Sequence, residues 1–132
     1  MIKQALALSS AVLLLAGCAA LPQKPTYLAG PWGGIGIEII AEGGISSVTF
    51  DCAAGTIDGA LPVSGPFSVQ GTYRPGQGGP VRVGQIFISK RAVYSGTITG
   101  DHMTLAVRIE DDTPIGPFSL TKATPGQLTR CL

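Results

Sequence analysis

The sequence predicts an all-β domain, and three observations carry that expectation. Apolar residues recur at a spacing of two along several segments, turn residues interrupt the chain every 10 to 13 positions, and no segment of ten residues has helical periodicity. Ile35 to Ile40 is an apolar run that stops at Glu42-Gly43-Gly44. In Ile45 to Cys52, Val48, Phe50 and Cys52 share one face, and Ser47, Thr49 and Asp51 the other. Thr56 to Leu61 is a third run, ended by Pro62. From Phe67 to Tyr73, Phe67, Val69, Gly71 and Tyr73 alternate with Ser68, Gln70 and Thr72, the period of a half-buried strand.

Gly76-Gln77-Gly78-Gly79-Pro80 reads as the longest loop, followed by a run from Val81 to Ser89, a charged Lys90-Arg91 pair and a run from Ala92 to Thr99. Gly100-Asp101 is a compact turn into Met103, Leu105, Val107 and Ile109, which alternate with Thr104, Ala106, Arg108 and Glu110. Asp111-Asp112-Thr113-Pro114 turns again before Pro117 to Lys122, and Leu128 to Leu132 closes the chain. Eight strands with short sequential links predict an antiparallel up-and-down barrel, whose closure removes exposed edges. A two-sheet sandwich is the alternative. Glycines inside the runs (Gly71, Gly84, Gly96) suit the bends of a small, strongly curved sheet.

The pattern Phe67-x-x-x-Gly71-x-Tyr73, then Tyr94-x-Gly96-x-Ile98-x-Gly100-x-x-Met103-x-Leu105-x-Val107, resembles the strand-and-turn grammar of small calycin-like barrels. Avidins and lipocalins are examples, and Gly30-Pro31-Trp32 is loosely similar to the opening strand of an avidin. The resemblance implies a barrel and transfers no ligand residue.

A second resemblance sets the address. Lys3 precedes an apolar run from Ala5 to Leu15, too short for a bilayer span of about 20 residues. The run closes on Leu15-Ala16-Gly17-Cys18, which resembles the lipobox of bacterial lipoproteins. That resemblance implies cleavage before Cys18, lipidation of Cys18 and anchoring of the mature chain in a membrane of the cell envelope. Two or more acyl chains anchor stably, whereas one does not. Ala19, where an Asp would favour retention at the inner membrane, points to the outer membrane and its periplasmic side. The expected organisation is a signal peptide over 1–17, a tether over 18–31 containing Pro22, Pro25 and Pro31, and a barrel domain over 32–132.

Removing the leader leaves 115 of the 132 residues, enough for one domain. Lys3 leaves with it, so eight basic side chains face eight acidic ones. A chain so balanced has no basic surface for a phosphate backbone, and nucleic acid is not an expected partner. With Cys18 acylated, Cys52 and Cys131 remain as an even pair in an oxidising compartment and are expected to bridge, pinning the last strand. Closing a loop of about 80 residues is worth about 4.5 kcal/mol in the chain-entropy treatment.

Catalytic chemistry finds little purchase. His102 is the sole histidine, beside Asp101 in an expected turn, with no nucleophile or orienting carboxylate placed by a motif. Glu110-Asp111-Asp112 lacks the alternating ligands of a calcium loop and reads as a solvated turn. Gly76-Gln77-Gly78-Gly79 is not followed by Lys-Ser or a helix, so it is no phosphate cradle. Neither a catalytic residue, a metal site nor a cofactor is expected.

Trp32 is a core plug or a stacking platform. Ile86 and Ile88 alternate with Val83, Gln85 and Phe87, so the strand expected there is apolar on both faces. It is either central in a sandwich or an exposed apolar stripe on a barrel. Trp32, Ile86 and Ile88 are therefore the candidate binding surface. The expected function is a non-enzymatic, lipid-anchored module that binds an envelope protein or a small apolar molecule, or serves the envelope structurally. The alternative, resting on size, anchor and disulfide, is an inhibitor of an envelope-directed hydrolase such as lysozyme.

Overall fold

A computed structural model describes residues 27–76, 83–84, 88–129 and 131. Eight strands form a closed antiparallel barrel in which each strand pairs with its sequence neighbours and the last returns to the first. The strands are β1 (Ala29–Gly34), β2 (Ile37–Glu42), β3 (Ile45–Phe50), β4 (Ala53–Ile57), β5 (Gly65–Pro75), β6 (Lys90–Thr99), β7 (His102–Ile109) and β8 (Pro114–Lys122). The up-and-down barrel is thus the architecture, and the sandwich is not.

Alternation puts the apolar set inside. In β7, Met103, Leu105, Val107 and Ile109 are buried while the residues between them are exposed. Ile37, Ile39 and Ala41 of β2 and Val48 and Phe50 of β3 do the same on neighbouring strands. One end of the barrel, where β1 begins and β8 finishes, is closed by Leu28 and Leu61, whose backbones bond through Leu28 N–H to the Leu61 carbonyl at 2.8 Å. The other is filled by aromatic rings: Phe50 lies 5.3 Å from Tyr73 and 5.7 Å from Phe118, within the range of favourable ring pairs.

Glycine makes the curvature possible. A Cβ at Gly71 would run into the Thr56 carbonyl oxygen and press on the Tyr94 ring, and one at Gly96 would meet the Thr104 carbonyl. Backbone therefore approaches backbone more closely than any side chain permits, as sharp bends of a small barrel require.

Three expectations need correction. The first strand begins at Ala29, inside the segment read as tether, because Pro31 and the flanking glycines hide its pattern. In the run from Val81 to Ser89 the described residues, Val83, Gly84, Ile88 and Ser89, lie outside any strand, and β5 pairs directly with β6. Ile86 lies outside the described residues. Leu128 and Thr129 are not in a strand either. They belong to a C-terminal strap.

That strap crosses the outside of β1 and β2 from one barrel end to the other. Ala123 N–H donates to the Pro31 carbonyl at 2.8 Å, and Gln127 N–H to the Gly34 carbonyl at 2.9 Å. Gly126 N–H donates to Glu38 Oε2 at 2.7 Å, and Thr129 N–H to Asp51 Oδ1. Cys131 then joins Cys52 in a disulfide with Cα atoms 5.0 Å apart. The strap can lie flat because Gly33 faces outward beneath it: a Cβ there would overlap Pro125 and Gly126 backbone.

Candidate functional site

Trp32 faces inward from β1 and is 1% exposed, so it belongs to the core and not to a surface. Its indole Nε1 and the hydroxyl of Ser46, also buried, have no hydrogen-bond partner among the described residues. Ile88, by contrast, is 72% exposed just before β6. The expected surface of Trp32, Ile86 and Ile88 therefore does not exist as one patch; of the three, Ile88 alone is seen at the surface.

Sequence reasoning missed other exposed apolar residues. Ile35 is 80% exposed in the β1–β2 turn, and Leu128 is exposed on the strap. An isolated bridge between Ile35 and Gln127 brings these two neighbourhoods together. By topology, the β1–β2 turn and the β5–β6 connection that carries Val83 and Ile88 open at the same barrel end, the one holding the disulfide. The sequence pattern places Ile35 at the head of the apolar run to Ile40, whereas β2 begins only at Ile37 and leaves Ile35 in the turn.

Tyr27, Ile45 and Val63 are exposed at the opposite end. Tyr27 bridges to Pro62, beside Val63, and Ile45 follows the β2–β3 turn.

The outer face of β5, β6 and β7 holds an open groove of about 580 Å³, within the size range of ligand pockets. Asp58, Gln70, Thr72, Arg91, Val93, Arg108, Glu110 and Asp112 are among the residues that line it. Thr56 Oγ1 donates to Asp58 at 2.7 Å and lies 2.9 Å from Thr72 Oγ1, tying β4 to β5 beside the groove. Opposite charges alternate along this face, which gives it no single sign.

The acidic turn is engaged with its own neighbours. Glu110 Oε2 accepts from Arg91 N–H at 3.3 Å, Asp111 sits 3.9 Å from Lys90 and Asp112 3.8 Å from Arg108. Hydrogen bonds from Thr113, chiefly its side chain and then its amide, hold Asp111 below its ordinary carboxylate value, and Lys90 adds to this. Among the described residues no group of three or more His, Cys, Asp or Glu is placed to hold a metal ion.

His102 opens β7 rather than sitting within the turn, exposed between Thr99 and Thr121 on the adjoining strands. Neither neighbour is a carboxylate that could orient an imidazole for base catalysis. Inside the barrel, Tyr94 donates to the Thr72 carbonyl at 2.6 Å, and burial pushes its phenol, like that of Tyr73, above the ordinary value. Tyr94 is a structural anchor: its ring stacks 6.5 Å from Phe50.

Cys18 and the leader lie outside the described residues, as does most of the expected tether. Comparison with family models, curated proteins and solved structures finds no match.

Proposed function

We propose that this chain is a lipid-anchored module of the cell envelope, held through Cys18, that binds an apolar surface of an envelope protein and does not catalyse a reaction. The observation that carries the reading is the barrel interior. Trp32, Tyr94, Ile37, Ile39, Ile57 and Leu105 fill it as part of one continuous core, where a lipocalin-like binder would hold its ligand. Recognition then falls to the outside. Ile35, Leu128 and Ile88 stand exposed at the barrel end away from the point where the chain runs back towards Cys18. Exposed apolar residues at a distal end suit a protein partner better than a soluble small molecule.

Two measurements test this together. Labelled fatty acid is expected to enter the wild type and not Cys18→Ser. Photo-crosslinkers at positions 35 and 88 of the anchored chain are expected to capture one envelope protein, and Ile35→Lys with Ile88→Lys to lose it while keeping the circular dichroism of the wild type. Equal labelling of Cys18→Ser overturns the anchor. Undiminished capture by the folded lysine variant overturns the surface, and a folded His102→Ala variant that loses a measurable turnover overturns the non-catalytic reading.

A further inference from the structure

The barrel end that carries the N-terminal segment has the make-up of a surface that rests on lipid. We infer that Tyr27, Ile45 and Val63 sit in the headgroup layer of the membrane in which Cys18 is anchored, so that the domain stands on that end; this rests on the lipid-anchor reading above. Eight residues, nine steps along the chain, separate Cys18 from Tyr27, a reach of at most roughly 30 Å when fully extended. The eight residues of β7 span about 26 Å along the strand, which a barrel tilt of about 40° turns into a wall about 20 Å high. A lipidated Cys18 therefore holds the Tyr27 end nearest the bilayer, whereas bringing the disulfide end down would consume about two thirds of the tether.

The chemistry of the end agrees with its position. Tyr27 is 54% exposed, Ile45 60% and Val63 45%, and beneath them Leu28 and Leu61 seal the core. An aromatic ring with a polar tip is the side chain suited to the boundary between headgroups and acyl chains, and aliphatic neighbours add apolar contact. Among the described residues, the charged side chains in and beside the connections at this end are Glu42, Asp58, Asp101 and Lys122, with His102 beside them. Acidic groups do not attract anionic lipid. Contact is therefore apolar, and it forms on zwitterionic lipid.

The test uses the full mature chain with its lipid, in phosphatidylcholine nanodiscs that contain a headgroup-spin-labelled lipid. Backbone amide signals from 43–45, 59–61 and 63–64 are expected to be lost to paramagnetic broadening, while those from 34–36 and 111–113 are retained. The exposed double variant Ile45→Ser with Val63→Ser keeps its fold and stays with the disc, and recovers the lost signals. A wild-type chain that fails to co-migrate with the discs overturns the anchor and the inference with it. A chain that co-migrates but broadens equally at both ends, or at neither, overturns the docking alone. Broadening that persists in the serine variant shows proximity without contact and overturns it too.

Discussion

Tyr94 shows how much of this barrel depends on single interior atoms. Its hydroxyl is spent on the Thr72 carbonyl, and its ring occupies space left by Gly55 and Gly71. Since burial raises the phenol above its ordinary 10.0, the stabilisation it contributes is fully present below that value and is lost as pH rises through the folded value. Unfolding free energy is expected to fall above about pH 10, and Tyr94→Phe to flatten that fall. The same variant loses about 0.5–1.5 kcal/mol at neutral pH from the missing hydrogen bond. A steep alkaline fall unchanged in Tyr94→Phe would assign the effect to another group. Gly71→Ala is expected to cost at least about 1–3 kcal/mol, the cost of overpacking, because the new methyl meets backbone and not a flexible side chain. Ser46 gives the opposite sign. Its buried hydroxyl has no partner among the described residues, so Ser46→Ala is expected to leave the midpoint of urea unfolding unchanged or raise it.

At the scale of elements, strict alternation marks strands most clearly, and apolar runs without it place β2 and β8 only in part. β7 and the central part of β5 follow directly from period two, because each has one face in the core and one in water. β1 escaped because its sequence, Ala-Gly-Pro-Trp-Gly-Gly, has one large apolar residue, and its strand geometry is supplied by β2 along six paired positions. The apolar stretch from Val81 to Ser89 fits either a central sandwich strand or an exposed stripe, and its described apolar residues Val83 and Ile88 are exposed but lie outside any strand. In the candidate site, Ile88 was visible in the sequence. Ile35 and Leu128 were not, since only the strap brings them to the same end.

The strap itself carries a prediction. Reduction of Cys52–Cys131, or Cys52→Ala with Cys131→Ala, is expected to lower stability by about 2–5 kcal/mol in chemical denaturation. The strap amides at Gly126 and Gln127 are expected to lose exchange protection before those of β7 do. Loss of protection in β7 at the same rate would mean that strap and barrel open as one unit.

At the scale of the whole molecule, the strap closes a covalent ring that contains β4 to β8 and leaves β1 to β3 outside it. A break in the backbone between β5 and β6 therefore does not free either half. Cleavage after Arg82 leaves β1–β5 with Cys52 on one fragment and β6–β8 with Cys131 on the other. The disulfide holds the fragments together, and nine paired positions between β5 and β6 remain to align them. Trypsin-nicked protein is expected to run as one band without reductant and as two with it, while keeping the circular dichroism of the intact chain. Separation without reductant would show that the two cysteines are not joined in the folded protein. A polypeptide laid out this way is divisible in primary structure and indivisible in tertiary structure, so the β5–β6 connection is the place where a foreign sequence could be inserted, or the chain supplied as two pieces, with the barrel still assembling around the cut.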